Sequence, residues 1–543
     1  MTGGEHLWWE DAVVYQVYPR SFADADGDGV GDLPGLRSRL DYLADLGVDA
    51  IWLTPFYPSP LADGGYDVSD YRAVDPRLGT MADFDALVKE AAAHRMRVIV
   101  DLVPNHCSSD HPLFRAALAA GPGSRERARF IFRDGRGPGG GLPPNNWASS
   151  FGGPAWTRVA DGQWYLHLFD AGQPDWNWRS AEVRALFEDV IRFWLDRGAA
   201  GLRVDVAWGL FKDPDLPDDP GGIPRDAPSA YHHRPELQDL YRTWRAILDS
   251  YPADGFPGAR TAIGEVWYDA LGTLRPYLVP GGLPQVFNFE LILSRWQPGA
   301  LRAAIDGVLA LAGGSRAPWV LGNHDVPRPA SRYRLDEGFT QDMAGRLVAL
   351  GRRNAAVGAR RARAAALLLL ALPGSAYIYQ GEELGLPEVT DIPDGARRDP
   401  QFLRSGGRRP GRDGCRVPLP WTSGGPGYGF TSGSPWLPQP PGWGSYSVEA
   451  QAGDPGSFLS LYREALRLRR EHPALGRGTL RWLGEPDQAG RPGALCFARE
   501  PGFVFAANLG AAPAPLPPHK QVLLASGPVG GGLPPDTAAW LAA

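Results

Sequence analysis

Four apolar segments of the sequence each end in polar residues. The segments are DLVPNH at 101–106, GLRVDV at 201–206, GEVW at 264–267 and GNHD at 322–325. Three of them carry a carboxylate at or close to that end, namely Asp205, Glu265 and Asp325. A single acidic residue at such a point often only caps the next helix. Four polar endings in succession indicate one shared site.

Carboxylates gathered in one pocket are the groups that break glycosidic bonds. Cleavage with retention needs one carboxylate as nucleophile and a second, about 5–5.5 Å away, that donates a proton and later removes one from water. Further negative charge favours the oxocarbenium-like transition state. Two neighbouring carboxyl groups also push their pKa values apart, so that one stays protonated while the other is ionised. The spacing predicts this chemistry but does not assign the separate roles.

A (β/α)8 TIM barrel is the fold that brings such strand ends together. Short runs rich in Val, Ile, Tyr and Trp alternate with amphipathic stretches, which is typical of β-α units around a parallel sheet. The predicted strands cover residues 13–19, 50–55, 98–103, 201–206, 261–266, 286–290, 319–322 and 376–380. The predicted helices cover residues 33–46, 81–94, 181–195, 235–248, 362–372 and 458–470. In this α/β fold, catalytic groups lie at the carboxyl ends of the strands.

Two intervals are too long for ordinary βα loops, which have about 2–6 residues. The first follows strand three and is dense in Gly and Pro at 136–146, which predicts an inserted subdomain over 105–173. The second, 382–456, follows strand eight and predicts a cover over the mouth of the barrel. We expect the barrel to comprise 1–104 and 174–474, and 475–543 to form a small C-terminal β domain.

Composition excludes several other classes of protein. A net charge of −6 with both signs mixed along the 543 residues argues against nucleic acid as a partner. The longest apolar run, 364–372, is far shorter than the roughly 20 residues of a membrane span and predicts a buried helix. Residues 1–15 lack a basic leader with an apolar core, and Cys107, Cys415 and Cys496 have no CxxC spacing. Both features favour a cytoplasmic location.

The four motifs, together with QPDWN at 173–177, resemble the conserved regions of the α-amylase clan, glycoside hydrolase family thirteen. The likeness runs from Tyr15 to about Pro473 and is closest to α-glucosidases and oligo-1,6-glucosidases. It implies Asp205 as nucleophile, Glu265 as general acid/base and Asp325 as the stabiliser of the transition state. It implies no organic cofactor.

The same resemblance implies a pocket for the first sugar. Its residues are Tyr66 and Asp67 in GYDVSD, His106, Arg203, His324, and Arg412 in GRDGCR. Because Arg203 lies two residues before Asp205, it shares a strand face with that carboxylate and can hold it ionised. An ion pair between Asp67 and Arg412 is expected to close the pocket, as in exo-acting relatives. The alternative for Arg412 is a structural role, in which its ion pair only stabilises its own loop.

A second acidic cluster occupies the turn after strand one, in the sequence DADGDGVGD at 24–32. The twelfth position of this loop is Gly35, so it lacks the bidentate Glu of a complete EF-hand. The resemblance implies a structural Ca²⁺ or Mg²⁺ instead, with oxygen ligands from Asp24, Asp26, Asp28 and Asp32 and the carbonyl of Val30. The alternative is a solvated acidic turn that binds no ion.

The expected activity is hydrolysis of α-1,4 or α-1,6 linked glucose from the non-reducing end of short malto- or isomalto-oligosaccharides. In the resembling enzymes valine after the nucleophile biases toward α-1,6, and here Val206 is followed by an unusual Ala-Trp, so linkage stays open. Two alternatives remain. One is a trehalose- or sucrose-type α-glucosyl transferase or isomerase with the same chemistry; the other is an inactive binding protein on the same barrel.

Overall fold

The computed structural model describes residues 7–221, 229–267, 271–313, 317–340, 343–484 and 493–543. Its strands are β1 Val13–Val17, β2 Ala50–Leu53, β3 Arg97–Leu102, β4 Phe132–Asp134, β5 Trp156–Arg158, β6 Gln163–Leu166, β7 Gly201–Val204, β8 Thr261–Gly264, β9 Gln285–Val286, β10 Pro318–Val320, β11 Ser375–Tyr379, β12 Arg481–Trp482, β13 Ala494–Arg499, β14 Phe503–Asn508, β15 Gln521–Ala525 and β16 Thr537–Ala542. Its α-helices are α1 Leu33–Arg37, α2 Leu40–Leu46, α3 Met81–Ala93, α4 Pro112–Ala120, α5 Ala181–Asp196, α6 Leu237–Asp249, α7 Glu290–Leu293, α8 Pro298–Ala312, α9 Pro329–Arg332, α10 Met343–Leu350, α11 Ala355–Ala371, α12 Pro400–Arg404, α13 Val448–Ala452 and α14 Phe458–Glu471.

Eight parallel strands form the barrel, in the order β10-β11-β1-β2-β3-β7-β8-β9. The first strand pairs with the last, Val13 opposite Ala376, and with the second, Val14 opposite Ala50. Most of these strands are buried on both faces, as expected where helices cover a parallel sheet. A strand is present at each of the eight predicted places, but the sixth is shorter than predicted: β9 covers Gln285–Val286, and Glu290 of the predicted 286–290 begins α7.

The pleat of the strands divides the apolar residues into two sets. One cluster gathers alternate residues from or next to the barrel strands, including Val14, Trp52, Ile99, Ile263 and Tyr377. The intervening residues join the larger core beneath the helices. The barrel interior is therefore packed with side chains, and the polar residues that follow the strands are left at its carboxyl end.

The two additional units of the predicted fold are also present. Strands β4, β6 and β5 form a three-stranded antiparallel sheet within the insertion after β3. Strands β12 to β16 form a five-stranded antiparallel sheet at the C-terminal end. The domain boundaries, near 104, 173 and 474, stay predictions.

Some element boundaries differ from expectation for local reasons. The predicted helix 33–46 divides into α1 and α2 at Ser38. The Ser38 hydroxyl donates to the carbonyl of Gly35, which in a continuous helix would accept from Arg39 N–H, and Arg39 N–H donates to the carbonyl of Leu36. Helix α11 begins seven residues before its predicted start, since only its apolar second half was evident in the sequence. That half is buried, as predicted. Among the described residues, no helix combines the length and apolar character needed to cross a membrane.

Candidate active site

The three predicted catalytic carboxylates lie beside one cavity of about 540 Å³. Asp205 follows β7, Glu265 follows β8, and Asp325 stands on the turn after β10. Tyr66, His106, His324 and Arg412 of the predicted pocket line the same cavity, and so does Asp63. Because parallel strands end at one rim, residues more than a hundred positions apart meet there.

One guanidinium connects the buried carboxylates. Arg203 Nη1 donates to Asp205 Oδ1 at 2.6 Å and to Asp101 Oδ1 at 2.9 Å, and its Nη2 lies 3.1 Å from Glu265 Oε2. Asp101 also accepts hydrogen bonds from Tyr66 Oη at 2.9 Å and from Trp52 Nε1 at 3.2 Å. Arg203 therefore lies behind the nucleophile candidate and joins it to the acid/base candidate.

Asp101 was absent from the predicted site, although it opens the DLVPNH motif. It lies directly opposite Arg203 in the β3/β7 register and is fully buried. A charged pair at opposing positions of two central strands is the signal that could have identified it, since a buried charge requires a partner.

Burial and charge determine how this cluster holds protons. Burial raises the pKa of Asp205 above its ordinary value; Arg203 opposes the rise, and the charges of Glu265 and Asp101 add to it. Burial likewise raises the pKa of Asp101 to about 6, against the attraction of Arg203. Three carboxyl groups surround one buried cation, and the repulsion among them adds to the effect of burial on Asp205 and Asp101.

Asp325 stands in the opposite electrostatic environment. Its Oδ1 accepts hydrogen bonds from Arg412 Nη1 and from Arg416 Nη2, both at 3.0 Å. Burial alone would raise its pKa, but His324, Arg412 and Arg416 together hold the pKa of Asp325 below its usual range. Asp325 is therefore ionised over the whole physiological range.

The prediction of an ion pair between Asp67 and Arg412 is wrong. Arg412 Nη2 lies 2.6 Å from Asp63 Oδ1, and its Nε contacts Asp399 at 2.5 Å. Asp67 is fully buried behind the wall, where it accepts from Ser59 Oγ at 2.7 Å, Ala62 N at 2.8 Å and Asp63 N at 3.1 Å. It holds the turn that carries Asp63, so its contribution to the pocket is indirect.

The two predicted pocket histidines are neutral. Burial lowers the pKa of His106 to about 4 and that of His324 to about 3. Gln16 Nε2 lies 2.7 Å from Nδ1 of His324 and can donate to it, which leaves the proton of that ring on Nε2, 3.4 Å from Asp325 Oδ2. His324 also stacks on Tyr66, with ring centroids 5.3 Å apart.

The backbone conformation after Asp205 helps to orient the acid/base candidate, Glu265. Val206 adopts a left-handed conformation, with φ of 45°, which is costly for a β-branched residue. The bend directs its N–H to Glu265 Oε2 at 3.1 Å. The other oxygen of Glu265 accepts from Trp267 Nε1 at 2.7 Å, and the Trp267 ring stacks on Phe289. Glu265 is thus oriented from both sides.

The acidic loop presents a donor set suited to a hard cation. Asp24, Asp26 and Asp28 each offer a carboxylate oxygen, and these oxygens lie within 4.8 Å of one another. Oxygen-only ligands at this spacing fit Ca²⁺ or Mg²⁺. Val30 lies in the same turn and donates its N–H to Asp28 Oδ1. Asp32 stands outside this group and caps α1 through the N–H of Gly35.

The sequence is similar to known protein families and to individual known proteins. The family described as "Alpha amylase, catalytic domain" matches residues 16–478, and a family described as a domain of unknown function matches 495–540. A "Probable alpha-glucosidase" of Rhizobium meliloti is 38% identical over 503 residues, covering 88% of this chain and 85% of the relative. A "Trehalose-6-phosphate hydrolase" of Escherichia coli is 36% identical over 541 residues, with coverage of 91% and 88%.

Solved structures agree with the sequence relatives. The alpha-glucosyl transfer enzyme XgtA superposes with a TM-score of 0.85 at 37% identity, covering 99% of this chain and all of the other. The family match spans most of the sequence and includes all the residues of the pocket. This chain belongs to the alpha-amylase catalytic domain family of glycoside hydrolases.

Proposed function

We propose that the protein is a retaining, exo-acting α-glucosidase that removes α-1,4 or α-1,6 linked glucose from the non-reducing end of short oligosaccharides. The observation that carries the proposal is the bridge from Arg203 to both Asp205 and Glu265, facing an Asp325 that is itself paired with two arginines. This arrangement provides a nucleophile, an acid/base and a fixed negative charge in one cavity.

The reaction proceeds in two displacements at the anomeric carbon. An Asp205 oxygen forms a bond to C1 while the bond from C1 to the glycosidic oxygen breaks, and Glu265 gives its proton to that oxygen. Water then attacks C1 and yields its proton to Glu265, and the bond to Asp205 breaks. Two inversions leave the configuration at C1 retained. Asp325 stabilises the positive charge that develops on the sugar ring.

Arg203 lies between the two proposed catalytic carboxyl groups and closer to the nucleophile. Arg203 lies 2.6 Å from Asp205 and 3.1 Å from Glu265, and it favours the ionised form of Asp205 against the effect of burial. An ionised nucleophile beside a protonated acid is the state that the first displacement requires.

Exo cleavage follows from the wall beside Asp325. Arg412 is held by Asp63, Asp399 and Asp325 and is mostly buried, and Arg412, Asp63 and Asp325 line the same cavity as Asp205 and Glu265. Carboxylate and guanidinium groups fixed in this way can bind the hydroxyl groups of a terminal glucose. A longer chain extending past the first sugar would meet this ion-pair network.

Transfer to an acceptor other than water is the second candidate, because XgtA, at 37% identity, is described as an alpha-glucosyl transfer enzyme. Both candidates share the glycosyl-enzyme and differ only in the second step. Product analysis with maltose, isomaltose, sucrose and trehalose separates them: glucose as the main product supports hydrolysis, and dominant non-glucose products support transfer.

We also propose that Asp24, Asp26 and Asp28, with the carbonyl of Val30, hold a structural Ca²⁺ or Mg²⁺, which Asp32 supports by anchoring the end of the loop. When bound, the cation would neutralise the loop and fix its shape. No catalytic step depends on it. Separately, we propose that the protein is located in the cytoplasm.

The direct test is hydrolysis of p-nitrophenyl α-glucoside by the wild type and by Asp205→Asn. The asparagine is nearly isosteric but cannot form the glycosyl-enzyme, so we expect the rate to fall by at least about 10⁴-fold. Equal rates for the two proteins would refute the assignment. An inactive wild type would favour the binding-protein alternative.

A further inference from the structure

Four aromatic rings form a column from the cover after β11 to the wall of the cavity. Trp436 stacks on Tyr18, with centroids 6.4 Å apart and planes at 26°. Tyr18 stacks on His324 at 6.1 Å and 28°, and His324 on Tyr66 at 5.3 Å and 2°. The column ends where Tyr66 Oη donates to Asp101, the partner of Arg203. Its inner two rings line the cavity; Trp436 does not.

Trp436 is fixed on its outer side by the loop that follows β1. Its backbone N–H donates to Gly29 O at 2.9 Å, and its Nε1 donates to Ser21 Oγ at 3.0 Å. The guanidinium of Arg20 covers the ring at 4.0 Å. On its inner side Trp436 packs against a small cluster separate from the main core, made of Tyr18, Tyr379 and Cys415. This half-buried ring is therefore held between two parts of the chain.

The cover approaches the acidic loop too closely for any side chain at Gly29. Gly29 has a φ of +95°, and a Cβ placed there would stand 2.0 Å from the carbonyl oxygen of Ser434. Two residues later the chain reaches Trp436. A side chain at position 29 would push this part of the cover outward and carry Trp436 with it.

We propose that Trp436 is a positioning residue for the first-sugar site: wedged between Gly29 and Tyr18, it fixes the Tyr18, His324 and Tyr66 rings. This inference rests on the proposed function. His324 is neutral and presents its Nε2 proton toward Asp325 at the wall of the cavity, so a small rotation of the ring moves this hydrogen-bond donor out of place. Removing Trp436 takes the stacking ring from one side of Tyr18, whose hydroxyl is held by a 3.3 Å hydrogen bond to Gly64 O; the Tyr18 ring can then shift away from His324, and the reacting groups lose their alignment.

The test compares three variants in the full-length protein. Trp436→Ala is expected to lower kcat/KM on p-nitrophenyl α-glucoside by about 10- to 100-fold, since misplacement of about 1 Å costs up to about 10². Most of the loss should fall on kcat, because the oriented contacts are strongest in the transition state. Trp436→Phe keeps a stacking ring and should recover to within about threefold of the wild type.

The matched control is Tyr446→Ala. Tyr446 is a half-buried aromatic residue of the same cover that packs on Trp443, away from the column. It should stay within about twofold of the wild type in kcat/KM, although this variant too loses an aromatic ring of the cover. A thermal unfolding curve of each variant verifies that it is folded.

A further variant displaces Trp436 from the side of the acidic loop, and a second glycine variant serves as its control. Gly29→Ala should reproduce the kcat loss of Trp436→Ala, and the double variant should add little, because both act through one wedge. Gly442→Ala is the control: Gly442 also has a positive φ, +79°, but a Cβ there meets nothing within 4 Å. It tests backbone strain in the cover without displacing Trp436.

Two results would overturn the inference while leaving the proposed function intact. One is an active wild type in which Trp436→Ala and Tyr446→Ala lose the same activity. The other is a Trp436→Phe variant no better than Trp436→Ala. A wild type inactive on p-nitrophenyl α-glucoside would instead refute the proposed function. Affinity for a glucose-shaped iminosugar, measured by calorimetry, still tests the column in that case: Trp436→Ala should weaken it about tenfold and Tyr446→Ala should not.

Discussion

Arg412 contacts Asp63 directly and Asp67 only through the turn that carries Asp63, and double-mutant cycles can measure the difference in coupling. Arg412 Nη2 lies 2.6 Å from Asp63 Oδ1, so at an effective dielectric of about 20 the direct attraction is roughly 6 kcal/mol. Desolvation offsets much of it, and Asp399 and Asp325 remain as partners of Arg412 in an Asp63 variant. We therefore expect a coupling of about 1.5–3 kcal/mol, or about 10- to 150-fold in kcat/KM.

The assay is kcat/KM on maltose for Asp63→Asn, Asp67→Asn, Arg412→Gln and the two double variants with Arg412→Gln. The Asp63/Arg412 double variant should lose much less activity than the product of its single losses. Asp67 bonds to Ser59 and to backbone amides of its own turn, including that of Asp63, so its coupling to Arg412 is indirect and should be smaller than the coupling of Asp63. Stronger coupling at Asp67 than at Asp63 would refute this account of the wall.

Four further outcomes are expected. Glu265→Gln should lower the rate on maltose by about 10²–10⁴-fold, and a loss of less than tenfold would exclude Glu265 as the acid/base. Val206→Thr should raise the initial rate on maltose relative to that on isomaltose. An unchanged ratio would show that residue 206 does not determine the linkage preference. Asp101 raises the pKa of Asp205, so Asp101→Asn should shift the acid limb of the kcat/KM profile to lower pH, and a shift to higher pH would contradict the cluster. Chelation should lower the melting temperature but leave kcat/KM at 25 °C within about twofold if the Asp24 loop binds a structural cation; an unchanged melting temperature would argue against that cation.

The strand ends could be predicted because a parallel barrel leaves a clear pattern. Each buried strand is a short apolar run, and a polar residue directly after it must lie at the rim. Asp205, Glu265 and Asp325 were identified in this way, and each lies at the cavity. Their separate roles came from family resemblance, because strand spacing contains no information about distances across the barrel.

The loops could not be predicted to the same level. Asp63 and Asp67 lie in one turn after β2, and no periodicity in a turn shows which carboxylate faces the cavity. Asp399 and Arg416 belong to the long cover, whose path depends on contacts with distant parts of the chain, such as Arg412 with Asp63 and Arg416 with His324. Asp101 was visible in its motif, but its importance depends on the register between β3 and β7.

The pairing of β1 with β11 has a consequence for how the protein is made. Tyr18 N–H, just after β1, donates to Gln380, just after β11, across 362 residues of chain. At about 5–20 residues per second of synthesis, β1 therefore waits roughly 20–70 s on the ribosome before its second neighbour emerges. Throughout that interval one edge of an apolar strand is unpaired and able to associate with other chains. The yield of folded protein should depend on growth temperature and on chaperone supply more than the stability of the finished barrel would suggest.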